Sequence, residues 1–134
     1  TPIGLGLSLR ISRKIFVIDG DGSLLMNPGC LATIAAFNPK NLIILAVDNG
    51  VYGSTGNQPT YTFDQVDLSL LARAMGIQDV FHVDCPSALD SAIASPSKGV
   101  KFIHIIAKAG NEPVPEIPLK AVDIKERFQR ALMS

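Results

Sequence analysis

The sequence predicts a three-layer α/β/α domain built on a mainly parallel sheet. Three observations carry this. Ile15-Phe16-Val17-Ile18 and Leu42-Ile43-Ile44-Leu45-Ala46-Val47 are short, continuous apolar runs rich in β-branched residues, as in strands covered on both faces. Helical patterns fall between such runs, and strand–helix alternation sets strands parallel with helices on both faces of the sheet. The chain has 134 residues, 47% hydrophobic against 18% charged, which suits one domain with a sizeable core. Residues 1–134 are therefore expected to form a single domain. A start at Thr1 rather than Met, directly in a Gly-rich segment, leads to the expectation that N-terminal sequence precedes it.

The elements follow in order. After the first strand, Asn27-Pro28 offers an N-cap and a first-turn proline, and Cys30 to Phe37 continues as an apolar helix that Asn38-Pro39 ends. The second strand runs from Leu42 to Val47. Thr62 and Gln65 have the spacing of a capping box, opening a helix that runs through Met75 and is stopped by Gly76, with Val66, Leu70 and Ala74 on one face. Val80 to Val83 and Val100 to Ala107 read as two more strands, and Pro86 to Ala94 as a helix between them. Ala109 to Lys120, with Pro113, Pro115 and Pro118, reads as an extended connector. A last helix begins near Asp123, with Ile124, Phe128 and Leu132 on one stripe.

Composition excludes several function classes. Formal net charge is zero and there is no basic patch, which argues against nucleic acid. No apolar run approaches the roughly 18 residues of a membrane span. Cys30 and Cys85 have no metal or redox spacing and read as reduced, buried thiols of a cytoplasmic protein. His82 and His104 lie within apolar strands and read as structural. Met26 reads as a core methionine, while Lys108, just after a strand, is equally a solvated lysine or a contact for an anionic substrate.

The residues that carry chemistry close the first two strands. Gly20-Asp21-Gly22-Ser23 follows one, and Asp48-Asn49-Gly50 follows the next, with 25 residues between Gly22 and Asp48. In an open α/β sheet, ligands bind beyond the carboxyl ends of the strands. A carboxylate and a carboxamide placed there suit a hard divalent cation such as Mg²⁺, which takes oxygen ligands and bridges to phosphates. A tight turn uses the same residue types, so the triplet alone is ambiguous. The polar, glycine-rich segment Gly50 to Tyr61 adds a loop suited to touching a ligand.

The stretch Ile18-Asp19-Gly20-Asp21-Gly22-Ser23-Leu24-Leu25-Met26-Asn27, with Asp48-Asn49-Gly50-Val51-Tyr52-Gly53-Ser54-Thr55-Gly56-Asn57-Gln58-Pro59-Thr60, resembles the diphosphate-binding half of the thiamine diphosphate decarboxylases. Within that family it is most similar to the beta subunits of sulfopyruvate decarboxylases, with phosphonopyruvate decarboxylases as close relatives. The resemblance implies the thiamine diphosphate-binding fold, with thiamine diphosphate and Mg²⁺ as cofactors. It implies that Asp21 and Asn49 ligate Mg²⁺ through side-chain oxygens and Val51 through its carbonyl. Gly20, Gly22, Ser23, Tyr52 and Gly53 would join them around the cofactor. Asp48 stands where the family signature has its first Asn, and is expected to cap the turn rather than touch metal.

No catalytic residue is expected in this chain. The family's glutamate lies on a separate pyrimidine-binding domain, so an alpha subunit is the implied partner, with self-association besides. The implied reaction is the decarboxylation of a small 2-oxo acid, most closely 3-sulfopyruvate to sulfoacetaldehyde on the way to coenzyme M. Two alternatives stand beside it. Asp19-Gly20-Asp21 also resembles the first motif of haloacid dehalogenase-type phosphatases, with Asp19 as nucleophile and Asp21 as acid/base. The chain is otherwise a non-catalytic assembly subunit.

Overall fold

The computed structural model describes residues 1–110 and 113–133. Twelve elements follow one another: α1 Pro2–Ser8, β1 Ile15–Gly20, α2 Asp21–Met26, α3 Cys30–Phe37, β2 Leu42–Asp48, β3 Val51–Tyr52, β4 Gln58–Pro59, α4 Leu68–Ala74, β5 Asp79–Val83, α5 Pro86–Ala94, β6 Lys101–Ile106 and α6 Ala121–Met133. Four strands form a parallel sheet in the order β1-β2-β6-β5. Register is set by pairs such as Gly20 with Val47, Asp48 with Ile106 and Val83 with Ile105. β3 and β4 form a small antiparallel hairpin apart from it.

The predicted three-layer α/β/α architecture is present, with unequal layers. One face of the sheet carries the larger core: Ile44, Ala46, Val80 and Phe102 pack with Leu24, Leu31, Ile34, Leu68 and Ala72 from α2, α3 and α4. On the other face Ile43, Val83 and Ile103 pack with Ala92, Leu89 and Ile93 of α5. The central strand β2 is buried nearly throughout, as its unbroken apolar run requires. Edge strand β1 alternates instead, leaving Phe16 and Ile18 exposed, so the expectation that it is covered on both faces does not hold.

Other expectations shift for local reasons. Asp21–Met26 is a helix directly after β1, where the triplet reads as either a turn or a ligand site and no helix is expected. Asn27 is the C-cap of α2 rather than the start of α3, whose N-cap is Gly29. α4 begins at Leu68, capped by the Asp67 carboxylate, which accepts from the Ser69 and Leu70 N–H groups; Thr62 and Gln65 lie in turns before it. Leu70 consequently faces solvent, and Leu68 and Ala72 form the buried side. α6 has no buried residue, and its stripe is half exposed. Met26 is exposed rather than a core residue, Cys85 is exposed, and Cys30 is half-buried, with burial pushing its thiol pKa up. His82 is exposed. Of the expected connector, Asn111 and Glu112 lie outside the described residues; the described remainder has no regular element before α6. Among the described residues, no helix is long and apolar enough to cross a membrane.

Candidate functional site

The parallel register brings the two signature segments side by side. Gly20, the last residue of β1, is paired with Val47, so Asp21 and Asp48 leave neighbouring strands at the same level. Asp21 is in the first turn of α2, where a negative charge is favoured, and is 4% exposed. Its Oδ2 accepts hydrogen bonds from the hydroxyls of Thr60 at 2.5 Å and Thr62 at 3.0 Å. Among the described residues, no hydrogen bond ends on its Oδ1.

Thr62 is the bridge between the strands. Its hydroxyl lies 2.7 Å from Asp48 Oδ1 and 2.8 Å from the Thr60 hydroxyl. Asp48 Oδ1 also accepts from the Gly50 N–H at 3.0 Å, which makes it a cap of the turn as the sequence predicts. Gly50 has φ +68°, a left-handed conformation that favours glycine. The turn it makes carries Asn49, whose Oδ1 accepts from the Val51 N–H at 3.2 Å. Behind Asp48 stands His104 of β6, with Nε2 2.8 Å from Asp48 Oδ2 and Nδ1 3.1 Å from the Ser69 hydroxyl. The His82 ring meets His104 edge-on, their centroids 4.9 Å apart.

The remaining predicted residues surround this point. Gly22 packs against Tyr52 of β3, whose ring carbon lies 2.4 Å from where a Cβ would stand; glycine is what lets the hairpin close onto α2. Gly53 follows Tyr52 in the turn, and Ser23 is exposed on α2. At Gly20 a Cβ would meet nothing within 4 Å, so the backbone there faces open space. Asn49 also lines a separate open cleft of about 720 Å³ with Val47, Ala107 and Lys108. Asp19 lies apart from the network, accepting from the Thr1 hydroxyl at 2.6 Å. Burial works to raise its pKa, yet hydrogen bonds from Ser23 and Thr1 outweigh this and hold it below the usual value.

The donors at the strand ends are all oxygens: the Asp21 carboxylate, the Asn49 amide and the Val51 carbonyl. That chemistry fits a hard divalent cation, and the open backbone at Gly20 leaves room for a diphosphate beside it. Asp21 is not hydrogen-bonded directly to Asn49 or Val51 among the described residues; Thr62 and Asp48 join the two sides. Sequence reasoning places Thr60 in the polar loop suited to a ligand but misses Thr62 and Ser69 as site residues. The one available signal was the pair of hydroxyls two residues apart at the end of the polar loop.

Comparison with known proteins gives this geometry its setting. Residues 1–105 match the family described as thiamine pyrophosphate enzyme, C-terminal TPP binding domain. The chain belongs to that family. It thus carries a thiamine diphosphate-binding domain, and the phosphatase alternative drops out. Among proteins similar to this TPP-binding chain is the sulfopyruvate decarboxylase of Methanosarcina acetivorans, 45% identical over 98% of the chain and 35% of the relative. The sulfopyruvate decarboxylase subunit beta of Methanothermobacter thermautotrophicus is 46% identical over 96% of the chain and 67% of the relative. A phosphonopyruvate decarboxylase of Streptomyces viridochromogenes is 40% identical over 81% of the chain and 28% of the relative. The chain therefore spans about a third of the first of these and two thirds of the second.

Solved structures agree on the fold. A 2-oxoglutarate:ferredoxin oxidoreductase from Magnetococcus marinus superposes with TM-score 0.63 at 18% identity, covering 96% of this chain and 56% of that one. A transketolase from Campylobacter jejuni gives 0.53 at 16% identity over 76% of this chain and 18% of its own.

Proposed function

We propose that residues 1–134 are a diphosphate-binding domain, the beta part of a thiamine diphosphate- and Mg²⁺-dependent 2-oxo acid decarboxylase. Its reaction takes 3-sulfopyruvate and one proton to sulfoacetaldehyde and carbon dioxide. One observation carries the reading: separate sulfopyruvate decarboxylase beta subunits are 41% to 46% identical to nearly the whole of this chain. An alpha subunit supplying the pyrimidine-binding half and its glutamate is the proposed partner.

In this reading Asp21, Asn49 and the Val51 carbonyl hold Mg²⁺, and Gly20, Gly22, Ser23, Tyr52 and Gly53 flank the diphosphate. Thiamine diphosphate, when bound, supplies the nucleophilic carbon and the electron sink that decarboxylation needs. This chain's part is to anchor and orient. The carboxylate of Asp21 neutralises cation charge from a buried position, and the open backbone of Gly20 lets a ligand approach the strand end.

The test is reconstitution of the full-length chain with its alpha subunit, thiamine diphosphate and Mg²⁺, followed by measurement of carbon dioxide and sulfoacetaldehyde. Cofactor-dependent turnover of sulfopyruvate is expected, with Asp21→Ala abolishing it. No turnover by the wild-type mixture refutes the reading. The phosphonopyruvate decarboxylase relatives supply a second reading, in which phosphonopyruvate is turned over with the higher kcat/KM.

A further inference from the structure

We propose that Asp48, Thr62 and His104 form a strut that presets both halves of the cation site before any cation arrives. The inference rests on the reading of Asp21, Asn49 and Val51 as oxygen ligands. Asp48 is 6% exposed and both its oxygens are engaged. Oδ1 takes the Gly50 N–H, which fixes the turn carrying Asn49 and Val51. The same oxygen takes the Thr62 hydroxyl proton, while Thr60, two residues away, gives its own to Asp21 Oδ2. Residues 60–62 thereby tie the turn after β2, which carries Asn49 and Val51, to Asp21 just after β1.

Counting protons gives the arrangement its direction. A carboxylate only accepts, so His104 presents an Nε2–H to Asp48 Oδ2; its Nδ1 faces the Ser69 hydroxyl at 3.1 Å and the Asp67 carboxylate at 3.8 Å. The two threonine hydroxyls have one proton each. Between them they touch Asp21 Oδ2 twice, Asp48 Oδ1 once and each other, so they cannot serve every contact at once. The arrangement that serves both carboxylates has Thr60 donating to Asp21 Oδ2 and Thr62 to Asp48 Oδ1, which leaves Asp21 Oδ1 with acceptor capacity. Thr60, Thr62, Asp48 and His104 are positioning residues: they act on a cation through the ligands they hold.

The experiment uses the full-length chain with its alpha subunit and Mn²⁺ plus thiamine diphosphate as the probe, free Mn²⁺ being read by electron paramagnetic resonance. Thr62→Val removes the hydroxyl that holds Asp48 at nearly constant volume and is expected to weaken Mn²⁺ binding about 10- to 100-fold, the usual cost of losing a group that orients metal ligands. Thr62→Ser should restore most of it. A second measurement needs no Thr62 variant. In Asp48→Asn the new amide would donate to His104 Nε2, so nitrogen-15 resonances of His104 should report Nε2 without its proton. If wild type takes up no Mn²⁺, the reading of the site itself falls. If wild type binds and Thr62→Val binds equally well, or if the His104 proton stays on Nε2 in Asp48→Asn, the strut alone falls.

Discussion

Asp79 shows how single residues set the response of this domain to acid. Its Oδ2 accepts from the Lys98 N–H and the Ser97 hydroxyl, each at 2.9 Å. The Lys98 bond is the largest cause of a carboxyl pKa held below its ordinary 3.8, with burial opposing it and Ser97 helping. Because the folded carboxyl ionises more readily than the unfolded one, its contribution is complete above pH 3.8 and is lost as pH falls through the lower folded value. Asp79→Asn should therefore lower the urea midpoint at pH 6 and lose less of it than wild type between pH 6 and pH 3. A parallel loss in both proteins counts against the assignment. Lys101 follows the opposite logic. At 3% exposure, it donates to the carbonyls of Ala92, Ile93 and Ser95 at the end of α5, and burial, with Lys14, pushes its pKa down. These partners are backbone carbonyls six to nine residues before it, which no side-chain pattern marks, so composition alone reads it as one more surface lysine.

At the scale of elements, the start of α4 separates pattern from mechanism. Thr62 and Gln65 have capping-box spacing, yet Thr62 spends its hydroxyl on Asp21 and Asp48, and the helix waits for Asp67. Asp67→Ala should cost about 1 kcal/mol, the usual worth of an N-cap carboxylate; denaturant midpoints measure it, and no change would show the helix held by packing alone. The four sheet strands lie within a residue or two of where the apolar runs place them, because continuous hydrophobicity has few other uses in a chain this size. α2 is hidden because Asp-Gly-Ser carries turn signals; the helix that forms there packs Leu24 into the core. For the candidate site, Asp21 and Asn49 were legible as strand-end oxygens. Their link was not, since Thr62 and His104 are 41 and 56 residues away from the carboxylates they meet.

The whole molecule covers its sheet unevenly. Four helices stand over one face and α5 over the β5–β6 half of the other, so Phe16 and Ile18 of edge strand β1 lie 46% and 74% exposed beside a groove shared with Phe128 and Leu132. An apolar parallel edge with unpaired backbone groups invites association. Sedimentation velocity of residues 1–134 alone should show concentration-dependent self-association, and Ile18→Lys should reduce it without lowering the melting temperature. A monomer at all concentrations contradicts this. α6 relates to the rest differently. It buries no residue, and the Arg13 guanidinium fastens it through the carbonyls of Ala131 and Leu132 at 2.9 and 3.2 Å. A fluorescent reporter or affinity handle joined beyond it would thus hang from a helix on which the core does not depend, and would leave the strand ends at Asp21 and Asn49 undisturbed.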